Sequence, residues 1–324
     1  MNTLFIDQYN GQISKSGEVL FLKDINTEIK LLDVDDIVIL SRATLTTPAV
    51  HFLMDKKIYV HFLTQDAKYK GSIIPPLGKN INLRVIQYKA YDSNRLYLAK
   101  RFIFGKVKNQ ITMLYRWQKI YNKFLQTEID EIKSIKAKIL EADNIEELMG
   151  YEGIISRIYF EAFRKVIPEE FTFNSRSRRP PKDEINALLS YTYTIFLTKC
   201  ISSLITAGLD PYLGFLHSCV YGRPALALDM LEEIRPIADA FVLNLIRNGE
   251  IEKGDFEEKL GAYYLNSDAR LKYFKRIKER FERQTSHVLA KEKIPFQKVI
   301  LLQSRMLVKY LIGDFDEYIP YTFK

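Results

Sequence analysis

The hydrophobic periodicity of this chain changes once, and that change limits the fold more than any single motif. From Asn2 to about Pro75 the apolar residues come in short β-branched runs: Thr3 to Ile6, Glu18 to Leu22, Glu28 to Leu32, Ile37 to Leu40 and Ile58 to Leu63. Runs of that length broken by Asn10-Gly11 and Ser16-Gly17 read as strands joined by turns. Thr46 to Asp55, with Pro48 in its first turn, reads as one short helix. Gly71 to Asn82 holds Pro75, Pro76 and Gly78, which interrupt regular structure and suit a linker. Beyond about Leu83 the pattern becomes long and helical. The expected fold class is α+β, with a small β-rich domain over residues 1–75, a linker over 76–84 and a larger all-α domain over 85–324.

The helical part carries its own punctuation. Pro180-Pro181-Lys182-Asp183 precedes a long apolar-periodic stretch, with Asp183 placed as an N-cap and Gly208 where a left-handed C-cap residue fits. Pro224 opens the next helix, Ala225 to Asn248, which ends at Gly249. Cys200 and Cys219 have neither CxxC spacing nor the density of a secreted scaffold, so both read as buried reduced thiols. The start lacks an apolar leader, and charge cuts the apolar runs, as Lys199 cuts the one around Phe196 to Leu204. A cytoplasmic protein with no membrane segment is expected.

Two segments carry chemistry. In Gly150 to Val166, residues Ile155, Tyr159, Ala162 and Val166 form one helical stripe, and Glu152 projects onto that face. A carboxylate there is neutral, salt-bridged, hydrogen-bonded or metal-bound, because an unpaired buried charge is too costly. A plain glutamate near a helix start, facing solvent, fits the spacing as well. The second segment runs from Leu213 to Pro236. There Asp229 and Glu232 share a helix face beside the stripe Met230, Leu231, Ile234, Ile237, Ala238 and Phe241, and His217 comes from the element just before. His217 taken alone also reads as a satisfied core histidine, and Glu232-Glu233 as a solvated helix edge.

Two carboxylates and an imidazole suit Mg²⁺ or Mn²⁺, ions that keep positions open for water and phosphate oxygens. Phosphoryl transfer is the reaction such a set supports. Structural zinc is disfavoured, since neither segment pairs cysteines or histidines at zinc spacing. There is no GxSxG elbow, and Pro75 to Asn80 lacks the spacing and hydroxyl of a P-loop.

At these residues the sequence resembles the universal CRISPR spacer-integration protein, the endonuclease and integrase of CRISPR adaptation. The likeness rests on four ordered blocks over about 90 residues. They are Tyr151-Glu152-Gly153 with Tyr159-Phe160, Arg179-Pro180-Pro181 with Asn186 to Tyr191, Gly214-Phe215-Leu216-His217, and Gly222-Arg223-Pro224 through Asp229 to Pro236. The resemblance implies that Glu152, His217 and Glu232 are metal ligands, with Asp229 orienting a ligand or substrate. It implies that Glu233 competes with Glu232 for the third position and that Arg235 meets DNA phosphate. It further implies a homodimer formed through the strand-rich domain, a small ferredoxin-like adaptation partner, and 3′-hydroxyl attack of a short DNA fragment on the CRISPR repeat.

Charge distribution fits a DNA partner. The chain has 48 Lys and Arg against 40 Asp and Glu, a formal +8, and ten of the basic residues fall between Arg84 and Lys123 against one acid, Asp92. Tyr and Trp side chains in the same stretch offer stacking faces beside phosphate contacts. A solvated helix face around an aromatic core stripe gives the same pattern. The candidate DNA contacts are Arg84, Lys100, Arg101, Arg116, Arg176, Arg178, Arg179 and Arg235, with Arg270 to Arg283 a further basic cluster. Two competing functions remain at this level: a branched-DNA repair nuclease that never integrates, and a non-catalytic nucleic-acid scaffold.

Overall fold

The computed structural model describes residues 2–76, 81–177 and 180–323. The N-terminal part contains β1 (Asn2–Ile6), β2 (Gln12–Ser16), β3 (Val19–Leu22), β4 (Thr27–Lys30), β5 (Val34–Ile39), β6 (Thr44–Leu45), α1 (Thr47–Asp55), β7 (Tyr59–Leu63) and β8 (Tyr69–Ile73). They form two four-stranded sheets, ordered β1-β5-β7-β8 and β4-β3-β2-β6. In the first, β1, β5 and β7 are parallel and β8 returns antiparallel. The Thr46 side chain accepts the Ala49 N-H and starts α1, the kind of cap that stabilises a helix by about 1 kcal/mol.

Strand β5 shows why this region packs as it does. Successive side chains leave a strand on opposite faces. Ile37 and Ile39 therefore enter a core enclosed with Ile13, Leu20, Leu53 and Val60, whereas Val38 and Leu40 enter the core of the helical part. One strand thus serves both cores.

The helical part comprises α2 (Ile81–Ser93), α3 (Arg95–Tyr121), α4 (Gln126–Glu141), α5 (Ile145–Val166), α6 (Glu184–Ala207), α7 (Ala225–Arg247), α8 (Ser267–Glu282) and α9 (Phe296–Leu311). Residues 77–80 of the expected linker lie outside the described residues, and α2 begins at Ile81, within the span assigned to the linker from sequence. Two short antiparallel pairs interrupt the helices: β9 (Phe256–Lys259) with β10 (Ala262–Leu265), and β11 (Gln284–Thr285) with β12 (Ile294–Pro295). The expectation of helices alone missed both, because strands this short carry almost no periodicity.

Helix α6 runs through the centre, capped by Asp183 on the Asn186 N-H and ended by Gly208 in the left-handed region. It is long and apolar enough to cross a membrane, but 72% of its apolar window is buried inside the protein, as befits a central core helix. Cys200 on α6 is buried as expected; Cys219 is exposed instead, because the loop after His217 turns outward.

Where α6 meets the first sheet, Lys199 is 1% exposed and ion-paired with Asp36, also 1% exposed. His61 stands 3.6 Å from the other Asp36 oxygen and bonds Ser72 and Ser202 through its two ring nitrogens. Asp36, Val38 and Leu40 share one face of β5, so strand alternation aims this carboxylate at α6. Burial opposes its ionisation, yet Lys199 and His61 outweigh that and hold Asp36 well below the usual carboxylate range.

Candidate active site

Three helices and one loop converge on a single buried ammonium. Lys106 on α3 has a side chain only 5% exposed; its Nζ donates to Glu152 Oε1 on α5 and lies 2.8 Å from Glu232 Oε2 on α7. Helix α5 starts at Ile145, so Glu152 sits well inside it and is not a helix-end glutamate. Ile155, Tyr159, Ala162 and Val166 are all buried beneath it, as the stripe requires. Ser156, one turn on, donates to Glu152 Oε1 at 2.7 Å.

His217 reaches the same place from the loop between α6 and α7. Asp229, fully buried on α7, accepts the backbone N-H groups of Phe215, Leu216 and His217 at 2.6, 3.0 and 2.9 Å. Its Oδ1 also lies 2.7 Å from His217 Nδ1. A carboxylate that only accepts makes Nδ1 the donor, which turns Nε2 toward the site. Nε2 is 3.8 Å from Glu232 Oε1. Gly214 permits this docking, since a Cβ there would come within 2.7 Å of the Ala225 backbone and 2.9 Å of Asp229.

Glu232 and Glu233, adjacent in sequence, face opposite ways. Glu232 is held by Lys106 and, at 3.1 Å, by Arg235. Glu233 turns to the segment after α9, accepting from the Tyr318 hydroxyl and the Tyr321 N-H at 2.6 Å each. Asn109 on α3 completes the clasp by donating to the carbonyls of Glu233 and Tyr321. Residues 317–323 thus brace the two helices that bear Lys106 and Glu232.

Electrostatics separate the two acids further. Burial pushes the Glu232 carboxyl up, but Arg235, Lys106 and His217 together hold it down at about 2. Burial likewise opposes ionisation of Glu152; Lys106 overcomes both that and repulsion from Glu232, leaving the group lowered. Burial raises Glu233 to about 8, its hydrogen bonds offsetting only part of the cost. Asp239, one turn past Arg235, is pushed up by burial to about 6 and accepts from Tyr193 and Tyr159.

The chemistry of the donor set fits a hard divalent cation. Glu152, Glu232 and His217 Nε2 supply two carboxylates and an imidazole, and Glu232 Oε2 is buried without a hydrogen bond, the Lys106 ammonium nearby lying outside bonding geometry. As the side chains stand, the ammonium lies between the carboxylates, and among the described residues no three His, Cys, Asp or Glu groups are arranged to hold a metal ion.

The candidate DNA contacts are more scattered. Arg235 is only 12% exposed and stacks over Tyr193, with Nε lacking a hydrogen bond. Arg101 is engaged with the Tyr318 carbonyl and Glu317, Lys100 with the Leu140 carbonyl at the end of α4, and Arg176 with Asn186 and Ser190. Arg84 lines a cavity of about 290 Å³ with Tyr69, Tyr88 and Tyr212. Arg116 is exposed, over the Phe323 ring. Arg178 and Arg179 lie outside the described residues. In the further basic cluster, Arg270 is buried against Asp7. Lys106 was counted from sequence in the surface field, but it falls on the buried face of α3 with Phe102, Ile103, Gln110, Met113 and Trp117, a spacing that could have exposed it.

The CRISPR associated protein Cas1 family matches residues 4–279. The chain is 33% identical to "CRISPR-associated endonuclease Cas1 3" of Thermus thermophilus over 99% of its own length and 97% of that protein. The solved structure described as a casposase bound to integration product superposes with a TM-score of 0.88 at 25% identity, covering 99% of this chain and 95% of that one. A Cas6-RT-Cas1–Cas2 complex superposes with a TM-score of 0.84 at 25% identity, covering this whole chain and 36% of that one. These likenesses place the chain among enzymes of the nuclease and integrase class. The chain belongs to the Cas1 family.

Proposed function

We propose that the protein is a metal-dependent DNA integrase and nuclease of CRISPR adaptation, which joins short DNA fragments to a CRISPR repeat by 3′-hydroxyl attack on a phosphodiester. The observation that carries this reading is that Glu152 and Glu232 meet at one ammonium while His217 Nε2 comes within 3.8 Å of Glu232, from three separate stretches of chain. Those residues would hold Mg²⁺ or Mn²⁺. Such an ion would polarise the scissile phosphate and neutralise charge on the attacking or leaving oxygen.

The chain's own residues do the rest. Asp229 fixes the ring of His217 so that Nε2 points inward, the arrangement by which outer carboxylates orient metal-binding imidazoles. Arg235, with a buried Nε that bonds nothing, would meet a phosphate oxygen. Glu233 is committed to the C-terminal segment, which favours Glu232 as the third ligand.

The described casposase and Cas6-RT-Cas1–Cas2 complex support a DNA substrate and a partner assembly. From the resemblance of the sequence blocks we further propose a cytoplasmic homodimer paired through the strand-rich domain and bridged by a small ferredoxin-like partner. The test is strand transfer with the partner, Mg²⁺ or Mn²⁺ and repeat-bearing DNA. Integration should need Glu152 and His217; cleavage of branched DNA without joining would instead favour the repair nuclease, and neither activity the scaffold.

A further inference from the structure

Lys106 has no part in the chemistry above, yet it is a buried charge shared by both carboxylates of the site. Its ammonium sits between Glu152 Oε1 and Glu232 Oε2, and the side chain is 5% exposed. Two carboxylates this close repel each other, and the Lys106 ammonium stands between them. A divalent cation bound by the same two oxygens needs carboxylate contacts of about 2.0–2.1 Å for Mg²⁺, and so cannot share that space with an ammonium.

From this geometry we infer that Lys106 is a built-in counter-ion: its ammonium occupies the space between the Glu152 and Glu232 carboxylates and holds them in place before metal arrives, and metal binding displaces it. The inference rests on the metal-dependent reading of the site. A second observation tells where the ammonium goes. Gln110, one helical turn along the same face of α3, is 2% exposed and its Oε1 has no hydrogen-bond partner. Side chains at i and i+4 on a helix are neighbours, so Gln110 offers the displaced ammonium a waiting acceptor. The site would then hold its acids ready at the cost of affinity: metal must compete with a tethered cation.

The experiment is Mn²⁺ titration by calorimetry on the DNA-free full chain, with melting temperature measured in chelator and in excess Mn²⁺. Lys106→Met and Lys106→Gln should bind Mn²⁺ roughly tenfold or more tightly than wild type, a gain of about 1.4 kcal/mol per tenfold. Both should melt lower than wild type in chelator and recover with Mn²⁺. The Gln variant keeps a polar head and guards against a folding failure of the Met variant. Unchanged or weaker Mn²⁺ binding in both, with normal wild-type binding, would overturn the counter-ion role and leave the metal reading intact. If wild type itself binds no Mn²⁺, and Glu152→Ala behaves the same, the metal reading fails and takes this inference with it.

Discussion

Two buried lysines in this protein have similar partners and opposite consequences. Lys199 faces one carboxylate, Asp36, with both side chains 1% exposed and His61 bonded in turn to Ser72 and Ser202. Lys106 faces two carboxylates at once, in a site where Glu152 is 17% and His217 11% exposed. The first cluster is matched in charge and sealed between a sheet and a helix. The second has two acids sharing one ammonium, with Arg235 beside Glu232, and an opening. Buried ion pairs are weak stabilisers relative to apolar packing, but breaking one is expensive because it strands a charge. A sealed one-to-one pair therefore specifies how two parts of a protein dock. A shared, accessible one is open to exchange of a cation.

The contrast can be broken by experiment. The largest effect expected is on catalysis: Glu152→Ala should reduce strand transfer at least about a thousandfold, roughly 4 kcal/mol of barrier, while denaturant unfolding in chelator shifts far less than for the seam variant. Lys199→Met should do the reverse. It leaves Asp36 buried without a counter-charge and should cost about 3–5 kcal/mol of stability by urea unfolding; a shift under 1 kcal/mol would show the seam pair to be incidental.

Asp229→Asn should weaken metal binding and activity by about 10–100-fold, with little loss of fold. A smaller and pH-dependent effect belongs to Asp36. Its carboxyl is held below the ordinary 3.8 in the folded chain, so the stability it contributes is complete above that value and is lost as pH falls through the folded one. Wild type should lose melting temperature below about pH 4 more steeply than the Asp36→Asn, Lys199→Met double variant; parallel acid limbs would refute the pairing. Least of all, Glu161→Ala, on the exposed face of α5, should change stability by less than about 0.5 kcal/mol, because its pair with Arg157 is open to solvent.

The sequence disclosed those features that depend on local pattern. Thr46, Asp183 and Gly208 mark helix ends because capping is decided within a few residues. Glu152 was legible as an acid on a buried face for the same reason, whereas Asp229, read only as sharing a face with Glu232 beside the apolar stripe, is itself fully buried. Strand β2 escaped because Ile13 is its only buried residue, and β8 because Gly71 breaks its alternation. The roles of Lys106, Arg101 and Arg176 were not legible, since a run of basic residues has the same composition on a surface and in a site. Periodicity reports which side chains are buried. It cannot name a partner such as the Tyr318 carbonyl, more than two hundred residues away from Arg101.

Strand β5 lends its odd side chains to one core and its even ones to the other. That ties the portion assigned to pairing with a second copy to the portion that carries the acids through one shared strand. In such a pair the gap between the two reactive points would be a built-in length, a caliper cast in one piece, and the spacing of cuts or joins on DNA would be inherited from the rigidity of a single strand.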